Sequence, residues 1–386
     1  MHIAWLGKKS PFCGNVTYGR EITNALLDRN HRVSFLHFAQ AESNHDNFSK
    51  CPEVLLPFIY KSQVYTIPAL KASKVLMRSL KKLKPDLVHA SLTLSPLDFA
   101  LPEICEELNL PLIATFHPPF DSKLRNLKSS TQYLTYQLYA PFLARYHRVI
   151  VFSDIQKDLL IKLGVAAAKI AIIPNGVDEN KYSPGYSHLK YQLQAKRLFV
   201  YQGRISTEKN IEALLKAWKH ANLGDHCKLL MVGDGPLRNS LQTSYDEKYN
   251  IIWLGFVAEE ERRIDILRAA DVFILPSLVE GLSISLLEAM SCGVACIATD
   301  AGADGEVLDA GAGVVLETQG VATQLKTLLP LFRDQPEMTE VLGKKARKRV
   351  LERYHLRQNL DKLESLYAEI VNTQALSIAN GSSLRF

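Results

Sequence analysis

Glu280 and Glu288 stand with seven residues between them inside Leu275–Gly293, the densest run of chemically useful residues in the chain. An apolar strand-like run, Val272–Pro276, leads into a loop with Gly281, and a helix begins near Ser283. A helix N-terminus after such a loop offers unpaired backbone N–H groups and a positive dipole, which suits a phosphate. Glu280 precedes that terminus and Glu288 lies one to two turns inside the helix. Carboxylates so placed can accept from paired hydroxyls, one set on a sugar and one on a ribose. In the plainer alternative, Glu280 is a charge at a helix start and Glu288 a solvated side chain. Against that, Glu288 sits within the apolar Leu286–Met290, where an unpaired carboxylate is costly to bury.

Tyr201–Asn210 is a second strand–glycine–loop–helix passage, carrying Arg204 and Lys209. Two fixed cations at strand ends can neutralise a diphosphate without a metal; a solvated basic loop is the alternative. Val232-Gly-Asp-Gly-Pro-Leu-Arg238 has the start of a dinucleotide fingerprint, but Arg238 stands where the third glycine belongs. Pro236 reads as the first residue of a helix. In the first half, His117 ends the run Leu112–Phe116 and is followed by two prolines that forbid a helix. Pro11–Asn15 follows the first strand, and Gly14 lets backbone approach a ligand or simply makes a tight turn.

These residues need a frame that gathers strand ends. Strand-like runs at 2–7, 32–38, 87–90, 112–116 and 149–153 alternate with helical stretches at 18–30, 67–83, 102–108 and 154–163. The alternation restarts with strands at 198–201, 228–232, 251–255, 272–276 and 295–299, and helices at 210–220, 236–245, 258–269 and 285–291. This predicts an α/β protein of two doubly wound, Rossmann-like domains facing across a cleft, joined near Pro174–Lys196. Such sheets bind ligands beyond the carboxyl ends of their strands. The expected division is 1–180, 181–353 and a final helix over 354–375 that crosses back to the first domain. With 386 residues, each domain can bury its own core. No apolar run reaches the length of a spanning helix, and the apolar start is too short for a signal peptide. The six cysteines form no Cys-x-x-Cys pair and read as small apolar residues in a reducing cytoplasm.

The motifs together resemble the retaining glycosyltransferases of family 4, which have the GT-B fold. The likeness is carried by Val149–Ser153, Ile172–Asp178, Gly203-Arg204 with Lys209, Val232–Pro236, and Ala270–Gly293 with its glutamate pair. The resemblance implies that Arg204 and Lys209 bind the diphosphate of a nucleotide-sugar donor and that Glu288 holds the ribose. Glu280 would contact the transferred sugar, with Gly281 and the amides around Leu282, Ser283 and Ile284 holding phosphate and sugar. It places His117 beside the reacting carbon and Gly14 near the phosphate. No metal or other cofactor is implied, since cations and a helix terminus serve the leaving group. Two departures stand out: Asn15 where the family often has a second glycine, and Ser283 where many members have glycine.

Acceptor choice belongs, in that family, to the first domain, which is basic here: residues 1–185 carry 22 Lys and Arg against 15 Asp and Glu. Residues 61–84 hold seven basic and no acidic side chains, with Ala72, Leu76, Leu80 and Leu83 on one helical face. A basic amphipathic helix of this kind suits a membrane surface, and the aromatic run Tyr133–Tyr146, between Lys123, Arg125, Lys128 and Arg145, Arg148, suits a headgroup layer. Both also suit ordinary core helices. The favoured expectation is a cytoplasmic enzyme, peripheral at the cytoplasmic membrane face, that moves galactose from UDP-galactose to a lipid such as monogalactosyldiacylglycerol. The alternatives are a polysaccharide-precursor or soluble sugar acceptor, and a non-catalytic nucleotide-sugar-binding module. Nucleic acid is not an expected partner, because no helix-turn-helix, RNA-recognition or zinc pattern is present.

Overall fold

The computed structural model describes residues 1–9, 14–38, 51–62, 65–92, 94–120 and 127–379. Pro11–Cys13, Lys123, Arg125 and the polar tail after Ala379 lie outside them, as does the side chain of Lys128. The chain divides into two compact units. One comprises Met1–Pro118, Ser122–Pro174 and Gln358–Phe386, and the other Pro119–Asp121 and Asn175–Arg357.

In the first unit the strands are β1 (His2–Leu6), β2 (Arg32–His37), β3 (Glu53–Leu55), β4 (Phe58–Lys61), β5 (Thr66–Pro68), β6 (Leu87–Ser91), β7 (Leu112–Thr115), β8 (Arg148–Val151) and β9 (Ile170–Ile172). Seven pair in parallel in the order β3-β2-β1-β6-β7-β8-β9, while β4 and β5 form a separate antiparallel hairpin. β1, β6 and β7 are buried along their whole length. That is why their sequences are mostly apolar and not alternating, with His2, His89, Ser91 and Thr115 as buried polar exceptions. The sheet order reverses between β1 and β6, so the ends of β1, β6 and β7 surround the switch point.

The helices are α1 (Gly14–Asp28), α2 (Ala72–Leu83), α3 (Pro96–Glu107), α4 (Leu127–Leu143) and α5 (Asp154–Lys162). Four differ from expectation, and α1 does so by starting at Gly14, four residues early. Ile67 belongs to β5, and α2 starts only at Ala72; its Ala72, Leu76 and Leu80 are buried, so the apolar stripe faces the core and not a membrane. The aromatic run is likewise a core helix. Tyr136, Tyr139 and Tyr146 are buried, and their hydroxyls donate to Pro118 C=O (2.9 Å), Asp98 Oδ2 (2.9 Å) and Asp98 C=O (3.0 Å). Finally, α3 begins six residues before Pro102, at a capping box in which Ser95 accepts from Leu97 N–H and Asp98 from Ser95 N–H. Pro102 inside the helix leaves the carbonyl four residues earlier without its usual donor. That carbonyl is Asp98's, and Tyr146 supplies the missing hydrogen bond.

The second unit holds β10 (Arg197–Gln202), β11 (Cys227–Val232), β12 (Ile251–Gly255), β13 (Val272–Leu275), β14 (Ala295–Thr299) and β15 (Val314–Leu316). They form one parallel sheet, β12-β11-β10-β13-β14-β15. Its helices are α6 (Leu189–Gln192), α7 (Ile211–Ala221), α8 (Arg238–Ser244), α9 (Glu260–Ala269), α10 (Ile284–Ser291), α11 (Asp304–Val307), α12 (Val321–Asp334) and α13 (Pro336–Arg353). The switch point lies between β10 and β13, the strands that lead to Arg204 and Glu280. Pro236 does not open α8, which starts two residues later at Arg238. The Gly-x-Gly before it is structural: Gly233 has φ +135°, and a Cβ there would sit 1.8 Å from Gly203 C=O.

The last helix, α14 (Leu356–Ala379), runs longer than expected. From Gln358 it belongs to the first unit, where Tyr367 is fully buried with its hydroxyl 2.5 Å from His89 Nδ1. Glu364 binds Arg29 and His31, and Glu369 binds Arg148.

Candidate active site

In the second unit, the two expected glutamates are both buried, each 8% exposed, and each is partnered. Glu280 Oε1 accepts from Ser277 Oγ (2.7 Å) and forms an ion pair with Lys209. Glu288 Oε2 accepts from Gln202 Nε2 at 2.9 Å. The burial cost anticipated for Glu288 is therefore met by Gln202, at the end of β10. Glu288 also faces Tyr182, whose hydroxyl is held protonated by burial and by the charges of Glu288 and Glu260.

The cations are placed by their loop. Tyr201, fully buried, donates its hydroxyl to Arg204 C=O at 2.6 Å. The Arg204 guanidinium reaches Glu208 Oε1 at 3.4 Å, and Ser206 Oγ donates to the same oxygen at 2.6 Å. Burial alone would raise the Glu208 carboxyl, but the Ser206 hydroxyl, Arg204 and Lys209 outweigh it and hold the group below its usual range. Arg204 and Lys209 thus each stand against a carboxylate, Glu208 and Glu280. An incoming diphosphate would compete with those carboxylates for the same cations.

The loop 277–283 is held from β14 and the segment after it. Thr299 Oγ1 donates to Ser277 C=O (2.5 Å), and Ala303 N–H to Gly281 C=O (2.7 Å). Gly302, at φ +60°, lets the chains meet; a Cβ there would be 2.2 Å from Glu280 C=O. Asn175 Nδ2 donates to Leu282 C=O (3.1 Å). Of the amides expected around Leu282, Ser283 and Ile284, one is already engaged: Ser283 N–H donates to Asp304 Oδ1 at 2.9 Å. Ser283 is the N-cap of α10 without a side-chain cap bond, so the first turn of that helix has no side-chain acceptor of its own. Asp304 is 1% exposed, and its Oδ2 has no hydrogen-bond partner among the described residues. Burial, with the Glu280 charge beside it, pushes the Asp304 carboxyl well above the carboxylate range against the opposing Ser283 amide and Lys209. Asp304 thus lies buried beside the Lys209–Glu280 ion pair.

In the first unit, His117 follows β7 and is partly buried, with Tyr18 edge-on (ring centroids 4.9 Å) and Phe152 at 5.2 Å. Burial, assisted by Lys8, lowers its pKa to about 3, so the ring is neutral. Its tautomer follows from its neighbours. Asn15 Nδ2 donates to Leu92 C=O (3.2 Å), which turns Asn15 Oδ1 toward Ser91. Ser91 Oγ–H donates to that oxygen at 2.9 Å. The 2.8 Å contact between Ser91 Oγ and His117 Nε2 must then be donated by the histidine, leaving Nδ1 as the acceptor. Gly14 opens α1 and is exposed, and a Cβ there would meet no atom within 4 Å.

Sequence reasoning missed Gln202, Glu208, Asp304, Ser91 and the use of Asn15. Gln202 and Ser91 had one available signal: each is a polar residue closing an apolar strand.

Comparison with known proteins decides the class. Residues 190–349 match the family model of glycosyl transferases group 1, and residues 14–181 that of glycosyltransferase family 4. The chain is a GT-B glycosyltransferase. It is 29% identical over 324 residues to UDP-Gal:alpha-D-GlcNAc-diphosphoundecaprenol alpha-1,3-galactosyltransferase of Escherichia coli, covering 79% of this chain and 81% of that one. It is 24% identical over 311 residues to sulfoquinovosyl transferase SQD2 of Arabidopsis thaliana, covering 77% of this chain but 59% of that protein. The fold of this GT-B glycosyltransferase is similar to that of Anabaena Alr3699/HepE in complex with UDP-glucose, with TM-score 0.75 and 18% identity over 96% of this chain and 100% of that one.

Proposed function

We propose that this glycosyltransferase moves a hexosyl group from a UDP-sugar, UDP-galactose foremost, to a lipid-linked acceptor at a membrane face, with retention of configuration and without a metal. The observation that carries the donor side is the pairing of Glu280 with Lys209 and of Glu288 with Gln202, on the strand and helix ends around the switch point of the second unit. In this reading the diphosphate draws Arg204 and Lys209 from Glu208 and Glu280 and lies over the first turn of α10. Glu280, released, accepts from sugar hydroxyls, and Glu288 accepts from the ribose. The cations stabilise the departing UDP, and the acceptor oxygen attacks on the leaving-group face, so no covalent sugar–protein intermediate forms. His117, neutral with Nδ1 as acceptor, takes a hydroxyl of the transferred sugar. The lipid side is supported by the acceptor that the Escherichia coli relative is named for, alpha-D-GlcNAc-diphosphoundecaprenol.

The test is a donor panel of UDP-galactose, UDP-glucose and GDP-mannose. Acceptors are monogalactosyldiacylglycerol, GlcNAc-diphosphoundecaprenol and a soluble oligosaccharide. Products are identified by mass, their anomeric configuration by NMR, and every assay is repeated with EDTA. Transfer from UDP-galactose to a lipid with an α-linkage and no EDTA effect is expected. Transfer only to the soluble sugar would overturn the lipid assignment, and a β-linked product the retaining one.

A further inference from the structure

The two segments whose sequence suited a membrane surface bury most of their apolar residues, although α4 leaves Leu134 and Leu138 exposed, and the first unit presents a larger apolar group to solvent elsewhere. Ile59 (70% exposed), Tyr60, Tyr65, Ile67 and Leu70 (101%) cluster on and beside the β4–β5 hairpin. Tyr60 and Tyr65 face each other across it, ring centroids 5.7 Å apart. Scattered exposed leucines are ordinary, but a contiguous patch of large apolar and aromatic residues marks a surface that binds something.

Its surroundings say what. Beside the hairpin a groove is lined by Leu55, Pro57, Phe58, Ile59, Val75 and Lys71. Lys71 begins a series, with Lys74, Arg78 and Lys82, that recurs at helical spacing along α2, and all four are exposed. No acidic residue interrupts 61–84, and among the described residues the nearby Glu107 engages only Lys81. Exposed aliphatic side chains, tyrosines and a row of cations on neighbouring elements supply the three chemistries a bilayer interface takes: acyl chain, headgroup level, anionic surface. A protein partner would need matching acidic and apolar surfaces at once, whereas an anionic membrane supplies both.

We infer that the β4–β5 hairpin with Leu70 is the element that seats this protein on an anionic lipid bilayer, inserting Ile59 and Leu70 while the outer row of α2 meets the headgroups. The inference takes its purpose from the lipid-linked acceptor proposed above, but its test is independent of catalysis. Full-length protein is sedimented with vesicles of phosphatidylglycerol and phosphatidylcholine in equal parts, and with phosphatidylcholine alone. Binding is expected only to the former. Ile59→Ser with Leu70→Ser should weaken it by roughly tenfold or more, because both side chains leave water only on insertion. Lys71→Glu with Lys74→Glu should abolish binding at moderate salt. Tyr60→Trp should show a blue-shifted emission when the mixed vesicles are added. All these positions are exposed, so melting temperatures should stay within a few degrees of wild type, and UDP binding should be unchanged. Binding of the hairpin variant at wild-type strength would overturn the inference. So would a wild-type dimer, seen by analytical ultracentrifugation, that the hairpin substitutions dissociate without any vesicle binding, since the occupant would then be a second copy. Loss of UDP binding in the wild type would instead break the proposed function and leave the vesicle result standing.

Discussion

At the strand ends of the second unit, ions are held against ions: Lys209 against Glu280, Arg204 near Glu208, with Asp304 buried beside them. At the strand ends of the first unit, His117 and its partners form an uncharged hydrogen-bonded chain from Leu92 C=O through Asn15 and Ser91, with Lys8 as a nearby buried cation. The contrast fits two tasks. In the proposed function a diphosphate needs charge that can change partners, and the ion pairs of the second unit are ones an anion could exchange into. A sugar hydroxyl needs direction more than charge, and a neutral imidazole of fixed tautomer gives direction.

The largest effect should come from Glu288. Glu288→Ala removes the acceptor proposed for two ribose hydroxyls, and kcat/KM with a UDP-sugar should fall by about 100-fold or more, with weaker UDP binding by calorimetry. Gln202 loses its acceptor too, so a modest drop in melting temperature is expected. Near-normal turnover would remove Glu288 from the donor site. The ion pair gives the next largest effect, and it can be split into stability and chemistry. Lys209→Met leaves Glu280 charged, nearly buried and without its cation, which should cost roughly 3 kcal/mol of stability. Adding Glu280→Gln should restore most of that stability and none of the activity. Recovery of both would mean that the pair serves the fold alone.

How much of this was legible beforehand differs between frame and site for a physical reason. Strands buried on both faces are mostly apolar runs, so β1, β6, β10 and β13 and the residues at their ends could be placed from sequence. The hairpin could not, because Phe58–Lys61 and Thr66–Pro68 are short and turn their apolar residues outward, against the rule used to find strands. The start of α3 was hidden by Pro102, whose cost is relieved by Tyr146, a residue 44 positions on. Site residues found early carry charge or sit in a recognisable motif. Asp304 and Ser91 act through contacts with Ser283 and His117, and nothing local announces such contacts.

Asp304 sharpens the comparison, since burial and the Glu280 charge push its carboxyl upward inside the charged unit. Its folded pKa lies above its unfolded value, so between the two the folded state holds a proton that the unfolded state has lost. Its contribution is therefore full below about pH 4 and declines as pH rises toward the folded pKa. Asp304→Asn keeps an oxygen for the Ser283 amide and removes the titration. Its melting temperature, relative to wild type, should climb as pH is raised from about 4. A constant difference across that range would show that Asp304 is ionised in the folded protein.

The smallest effect belongs to the first unit. Ser91→Ala deletes the group that fixes the His117 tautomer without adding charge or volume. Donor-sugar affinity should fall by less than about tenfold, the worth of one neutral hydrogen bond. The decisive reading is spectroscopic. In wild type, the His117 ring nitrogens should report a single Nε2–H tautomer that does not change between pH 5 and 8, because burial lowers its pKa to about 3. A lowered histidine pKa means that stability is lost as pH falls from about 6.5 toward that value, since only the unfolded chain takes up the proton there. In Ser91→Ala the two tautomers should mix, while the ring stays neutral. A His117 that titrates near pH 6.5 in the wild type would add a second cation beside Lys8, and the contrast between ion pairs in one unit and an uncharged hydrogen-bonded chain in the other would be lost.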